Sequence, residues 1–351
     1  MWYDNLDKVI RKEVIFIMKH IDIARQLNIS TATVSNALSG KGRMSEELRN
    51  RIIQIAEAGG YVRKSKPTNT GKRTVNIVVE QLSVDFCHRI LTGMCRAARE
   101  HQITLQIYDM SIVDYGYGIS PPEEWLSDYI RNFLKNVDNS ALGMLYVSQY
   151  TRDVSGILPK LPYPVVYAYC CPDDASISVN IDDEQGAYLA TSHLLEKGCQ
   201  SPAMICGPIN NIPTSNRYIG YQRAIIDHGL TLDPTMICIK DWGIDDGYRA
   251  MKELIGSGKI PDAIFAHNDH LALGAIRAAT EAGIKVPDQL SVVGIDNIFS
   301  AYTTPAITTI APPFEELGNT AFETLLQISS GVLPVNKKRL LPCSLILRDS
   351  G

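Results

Sequence analysis

No apolar run in this 351-residue sequence approaches the roughly 20 residues that a membrane-spanning helix requires. The short run Val14 to Met18 follows Arg11-Lys12, but no small-residue cleavage site comes after it, which argues against a secretory signal. A cysteine framework is also missing. The 8 cysteines are scattered, only Cys170 and Cys171 are adjacent, and there is no Cys-x-x-Cys, a usage that suits reduced, mostly buried thiols. The catalytic loops are missing too: no GxGxxG after a strand, no GxxxxGK[ST] and no GxSxG. The acidic runs Asp182-Asp183-Glu184 and Glu315-Glu316 read as helix starts. His267 and His270 sit three apart with no further clustered ligand, so neither a metal nor a cofactor is expected. These absences argue against an enzyme and against a membrane protein.

A strong net charge is lacking as well, at −4, but the balance hides an asymmetry. Of the chain's 34 Lys and Arg and 38 Asp and Glu, residues 1–74 hold 14 and 7, leaving 20 and 31 for the rest. A basic head on an acidic body suits a head that meets a polyanion.

The organisation changes along the chain. Residues 1–18 read as an extension ahead of the fold. Three helical stretches then fill residues 21–60. One carries Ile23, Ala24 and Leu27 on one side, the next Val34, Ala37 and Leu38, the third Leu48, Ile52, Ile55 and Ala56. Ser45 is placed to cap the third, and Gly59-Gly60 to stop it. Residues 63–74, rich in basic and helix-breaking residues, read as a linker. From residue 75 to 351 about ten short apolar runs alternate with helical patterns. That alternation predicts parallel sheets covered on both faces, in two doubly wound lobes.

The first two helices are joined by the short turn Asn28-Ile29-Ser30, with Ile29 able to plug the gap and Ala24 small enough for a close crossing. This is a helix-turn-helix pattern, whose second helix enters the major groove of DNA. With Val34, Ala37 and Leu38 inward, Thr31, Ala32, Ser35 and Asn36 fall outside. Asn36 can pair with an adenine edge, and Ala32 and the Thr31 methyl can meet a thymine methyl. Ser30, Thr33 and Ser39 can donate to phosphates. On pattern alone, a small helical bundle that binds protein fits as well.

The stretch from Asp22 to Tyr61, with its "D-I-A", "S-x-x-T-V-S-x-x-L" and "G-Y" elements, resembles the DNA-binding headpiece of the LacI/GalR family of bacterial transcription regulators. "GIKVPDQLSVVGIDN" (Gly283 to Asn297) and "PAITTI" (Pro305 to Ile310) resemble that family's effector domain, so the likeness spans residues 19–351. It implies a helix-turn-helix domain over 19–62, a hinge linker over 63–74, and a two-lobed body over 75–351 like the periplasmic sugar-binding proteins. The implied protein is a cytoplasmic homodimer that binds operator DNA as a repressor under effector control. By the same resemblance Thr31, Ala32 and Asn36 read bases, while Ser30, Thr33, Ser35, Ser39, Arg43 and Ser45 meet phosphates.

The linker departs from the family's pattern. Relatives usually follow the terminal Tyr with Pro-Asn and then an Ala-Arg-x-Leu hinge helix that wedges leucines into the minor groove. Here Tyr61 precedes Val62, the leucine position reads Thr70, and Pro67 lies just before it. Proline breaks a helix interior and threonine is a poor wedge. The expectation is an irregular linker with Arg63, Lys64 and Lys66 on phosphates, and less DNA bending.

In the body the resemblance points to Arg217 in the cleft, Asp269 accepting ligand hydroxyls, and Trp242 as an aromatic platform, a set suited to a saccharide. Phe86, Asn268 and Asp85 are weaker candidates. Each strong candidate has a structural alternative: an ion pair for Arg217, a helix N-cap for Asp269, lobe packing for Trp242. Asp296 and Asn297 read as interlobe structure. A purine effector, or a solute receptor with no DNA role, are the competing readings.

Overall fold

The structure, a computed structural model, describes residues 20–38, 44–58, 73–112 and 123–351. The N-terminal extension, Ser39, Arg43, Arg63, Lys64 and Lys66 lie outside the described residues. The chain forms two compact units, each taken by itself below.

The first unit holds α1 (His20–Leu27), α2 (Thr31–Leu38) and α3 (Glu46–Ala58). Ile23, Ala24, Val34, Ala37, Ile52 and Ala56 form its core, with Leu27, Ile29, Leu38, Leu48 and Ile55 packed around them. These are the residues the 3.6 periodicity selects. Asn28 turns the chain out of α1 at φ +51°, a left-handed conformation that asparagine tolerates. The Ile29 N–H then returns to the Ala24 carbonyl at 3.0 Å, closing the helix end and driving Ile29 into the gap. Ser30 caps α2 by accepting the Thr33 N–H at 3.0 Å. Ser45 caps α3 by accepting the Leu48 N–H at 3.3 Å.

The second unit is α/β and two-lobed. In chain order it runs β1 (Thr74–Val79), α4 (Asp85–Glu100), β2 (Thr104–Asp109), α5 (Glu123–Phe133), β3 (Met144–Val147), β4 (Val165–Ala168) and β5 (Ile177–Ile181). Then come α6 (Asp183–Glu196), β6 (Pro202–Cys206), α7 (Ile212–Asp227), β7 (Ile237–Ile239), α8 (Ile244–Gly256), β8 (Ala263–Ala266), α9 (Asp269–Glu281), β9 (Ser291–Ile295) and β10 (Thr308–Ala311). The chain finishes with α10 (Phe314–Ser329), β11 (Lys338–Leu341) and β12 (Ser344–Ile346). One sheet has the order β11-β5-β4-β3-β1-β2, the other β12-β10-β9-β8-β6-β7. All pairings are parallel except β10 with β12. The central strands are sealed on both faces, which is why they read as continuous apolar runs rather than alternating ones.

The chain passes between lobes after β5, after β10 and after β11. The first and third passages are tied together: the Gln185 amide exchanges hydrogen bonds with the backbone of Cys343 at 2.9 and 3.3 Å. Within the first lobe α4 and α10 touch backbone to backbone. A Cβ at Gly93 or at Gly318 would lie 1.9 Å from a carbonyl of the facing helix, so only glycine permits that approach. The described residues contain twelve strands, more than the ten or so expected. "PAITTI" supplies β10, and β11 and β12 went unread. All 8 cysteines are free, and Cys87, Cys170, Cys206 and Cys343 are buried.

Candidate nucleic-acid interface and effector cleft

On the first unit the geometry follows from one helix. Val34 and Ala37 of α2 are sealed in the core, so the opposite side must face out. Thr31, Ala32, Ser35 and Asn36 are all exposed there, and Thr33 is half-buried. Small side chains keep this face shallow, so a helix backbone can come close to a groove. The hydroxyls of Ser30 and Thr33 lie 2.8 Å apart and engage each other as well as the α2 N-terminus. Ser45 is exposed at the start of α3.

In the body the chemistry gathers where strands end. Glu80 follows β1, Ser148 follows β3, Tyr169 follows β4, Gly207 follows β6, His267 to Asp269 follow β8, and Asp296 follows β9. Carboxyl ends of parallel strands are where open α/β sheets bind ligands, because side chains there are fixed by the sheet yet face a crevice.

Arg217 lies on α7 and is 4% exposed. Its Nε donates to Asp183 Oδ1 at 2.7 Å, and its Nη1 donates to the His267 carbonyl. Burial opposes its charge, but Asp183 and Asp296 beside it outweigh that and hold the guanidinium firmly cationic. The alternative of a structural ion pair is thus realised here, with Asp183 as partner. Asp183 itself is pushed up by burial against the pull of Arg217.

Asp269 is fully buried. Its Oδ1 accepts the Thr309 hydroxyl at 2.6 Å and its Oδ2 the Ile298 N–H at 3.4 Å. Burial lifts its pKa to about 6. In this conformation the carboxylate is sealed from solvent. The N-cap of α9 is Asn268, not Asp269: Asn268 Oδ1 accepts the Leu271 N–H at 2.7 Å, and its Nδ2 donates to the Trp242 carbonyl at 3.0 Å. Asn268 therefore spends its amide on the helix and on the Trp242 backbone. These two bonds use one amide hydrogen and one carbonyl lone pair of Asn268, half of what its side chain can offer.

The Trp242 ring lies against the backbone of Gly207, where a Cβ would stand 2.2 Å from it. The ring also packs against the second-lobe core, which is the lobe-packing alternative. Phe86, in the first turn of α4, meets Tyr169 edge-on at 4.7 Å and stacks on Phe314 at 5.5 Å. Tyr169 brings this aromatic group to the charged one, because Asp183, Arg217 and Asp296 all act on its hydroxyl. The two histidines of the His267–His270 run diverge. His267 Nε2 faces Met204 Sδ at 3.2 Å, while the His270 ring packs edge-on against Phe299 at 4.7 Å.

Several side chains at the crevice went unread in the sequence. Asp183 passed for a helix start, and Tyr169 for part of a strand. Glu80 is buried and accepts Ser148 Oγ at 2.9 Å, the Gln149 N–H at 2.8 Å, and the side chains of Tyr146 and Arg152. It pins the loop after β3. Arg89 of α4 crosses to the other lobe and donates to the Asp296 carbonyl at 3.3 Å. The signal available for most of these was position: a polar residue directly after a buried strand.

Comparison with known proteins adds to this geometry. The sequence profile of bacterial regulatory proteins of the lacI family matches residues 21–64, and that of a periplasmic binding protein-like domain matches residues 191–351. The HTH-type transcriptional repressor CytR of Escherichia coli strain K12 is 31% identical over 349 residues, covering 98% of each chain. The repressor PurR of Haemophilus influenzae strain ATCC 51907 is 28% identical over 314 residues, 87% of this chain and 89% of PurR. Among solved structures, a complex of the transcriptional regulator CelR with cellobiose superposes with a TM-score of 0.65 at 25% identity, over 95% of this chain and 100% of CelR. The lac repressor dimer bound to operator and an anti-inducer superposes with a TM-score of 0.66 at 22% identity, over 95% and 98%, a likeness of fold.

Proposed function

This chain belongs to the lacI family of bacterial regulatory proteins, and from that premise we propose how its residues divide the work of a DNA-binding transcriptional repressor with an effector domain. Residues 19–62 bind the operator, 63–74 link, and 75–351 sense and dimerise. Thr31, Ala32 and Asn36 read base edges. Ser30, Thr33, Ser35, Ser39, Arg43 and Ser45 hold phosphates, joined by Arg63, Lys64 and Lys66 of the linker. The observation that carries this reading is the α2 face itself: small, polar and exposed along one side, while Val34 and Ala37 are sealed on the other. The test is operator selection from a random DNA pool. Asn36→Ala is expected to lose preference at one position of each half-site, at a cost of about 1–3 kcal/mol there. Unchanged selectivity removes Asn36 as a reader.

The effector is a saccharide bound between the lobes, on Arg217, Asp269 and Trp242, with Phe86 on the opposite wall. A carboxylate that accepts hydroxyls beside a guanidinium and an indole is suited to a sugar ring, and the regulator CelR, 25% identical, is known in complex with cellobiose. A flat purine base is the second reading, favoured by the Phe86, Tyr169 and Phe314 aromatic group. A thermal-shift panel of sugars, nucleosides and purine bases separates the two. Asp269→Ala is expected to abolish the shift produced by the active compound, and an equal shift in both proteins removes Asp269 from the site. Asp183 must release Arg217, or share it, when the compound binds.

The working unit is a homodimer. A depression of about 770 Å³ on the outer face of the first lobe, between α4 and β2, is bordered by Leu82, Leu91, Arg96, Ile107 and Asp109. Leu82 and Ile107 are exposed apolar residues there. A second copy seated on this face gives the two-fold pairing that a two-fold operator matches. A chromosomal partner places the protein in the cytoplasm. Among the described residues no helix is long and apolar enough to cross a membrane.

A further inference from the structure

One short loop joins the buried carboxylate of Asp269 to the opposite lobe. It follows β9 and comprises Asp296, Asn297 and Ile298. At one end the Ile298 N–H donates to Asp269 Oδ2 at 3.4 Å. At the other the Asp296 carbonyl accepts from Arg89 Nη1 of the first lobe at 3.3 Å. Between them Asp296 and Asn297 adopt φ of +117° and +52°. Asparagine tolerates +52°, but +117° at Asp296 is strained, and such backbone persists only where its surroundings hold it.

The holder is Arg348. Its Nη2 donates to Asn297 Oδ1 at 2.6 Å, and its Nη1 to the Ile307 carbonyl at 2.8 Å and to Ser300 Oγ at 3.1 Å. The far end is equally tied. The Arg89 guanidinium lies 5.5 Å over the ring of Phe314, where the chain re-enters the first lobe, and Phe314 stacks on Phe86. Arg89 thus touches the second-lobe loop, the passage between lobes and the aromatic wall of the crevice.

We propose that the loop 296–298 is the element that couples occupancy of the effector site to the first lobe, and that Arg89 is the positioning residue that receives it. The proposal rests on the reading of Asp269 as an effector contact. A hydroxyl donated to Asp269 competes with the Ile298 N–H. Once that bond breaks, the loop loses its tie to Asp269 while Arg348 still holds Asn297, and the strained Asp296 peptide relaxes. Relaxation turns the Asp296 carbonyl away from Arg89, and α4 is freed from the second lobe. A ligand shifts an equilibrium only through different affinities for two states, and a bonded, strained loop beside a relaxed one supplies two discrete states.

The test needs no identified effector, because Asp269→Ala removes the same bond. Amide hydrogen exchange is followed by mass spectrometry on the full-length chain. Four variants are compared with the parent: Asp269→Ala, Arg89→Met, the double variant, and Arg89→Lys combined with Asp269→Ala. Asp269→Ala is expected to speed exchange several-fold in the α4 amides of residues 89–94, on the lobe that does not contain residue 269. In the Arg89→Met background that increment is expected to vanish, and Arg89→Lys is expected to restore part of it. A merely structural Arg89 raises α4 exchange by itself and leaves the increment intact, which overturns the proposal. So does an Asp269→Ala variant that leaves α4 unmoved. If Arg89→Met is recovered unfolded, Arg89→Gln carries the same cycle. Failure here with an abolished ligand shift in Asp269→Ala rejects the coupling alone, whereas a retained ligand shift rejects the effector reading.

Discussion

Asp269 and Asp296 follow neighbouring strands, β8 and β9; Asp269 is sealed from water and Asp296 is half-buried. Burial lifts Asp269 to about 6. It lifts Asp296 to about 8, with Arg217 pulling down and the Asp269 and Asp183 carboxylates pushing up. An unfolded aspartate titrates near 3.9. The folded state therefore binds more protons than the unfolded one between these values. The resulting stabilisation is complete below about pH 4 and is lost as pH rises through about 6 and then about 8. Thermal stability of the unliganded protein is expected to fall between pH 5 and 8.5 in a differential scanning measurement, and Asp296→Asn is expected to flatten the upper part of that slope. A steeper slope in Asp296→Asn contradicts the assignment. The same carboxyl group bears on function. An ionised Asp269 accepts a ligand hydroxyl better than a protonated one, so effector affinity rises with pH over the same window.

At the scale of elements, α2 and the linker are proposed to carry different parts of DNA binding. The α2 face has no charged side chain, so its contribution is selectivity rather than bulk attraction. In the proposed reading the attraction comes from the basic linker. Neutralising Lys64 or Lys66 to glutamine is expected to lower the slope of log affinity against log salt by about 1 for each phosphate no longer neutralised, with base preference unchanged. A slope that stays the same in fluorescence-anisotropy titrations removes these lysines from the interface. Element identity was legible where periodicity was clear, as for α2, and where a cap agreed with it, as for α3 behind Ser45. It was not legible for β11 and β12, strands of four and three residues at sheet edges. Segments that short hold their conformation through the partner strand and not through their own pattern.

At the scale of the whole molecule, the proposed control uses two copies and two lobes. Ile107 on the edge strand β2 is 45% exposed in the first-lobe depression. Ile107→Asp is expected to weaken self-association at least tenfold in sedimentation, since burying an unpaired charge at an apolar centre costs more than about 1.4 kcal/mol. A dimer of undiminished strength places the interface elsewhere. Loss of the dimer is expected to reduce operator affinity as well, because a single headpiece reads only half of a two-fold site.

The headpiece, the change of texture near residue 74 and the two-lobed alternation of strands and helices are all determined by the sequence itself. Those features depend on spacing, capping and local charge, which act over a few residues. The tertiary structure alone decided how the site residues are used. Arg217 and Asp183 meet across 34 positions and neutralise each other in the crevice. Asp269 is sealed by Thr309, 40 positions on. Arg89 reaches a carbonyl 207 positions away. Nothing local to any of these residues requires its partner. The partners are brought together by strand order in two parallel sheets, and burial then converts polar side chains at strand ends into a coupled set.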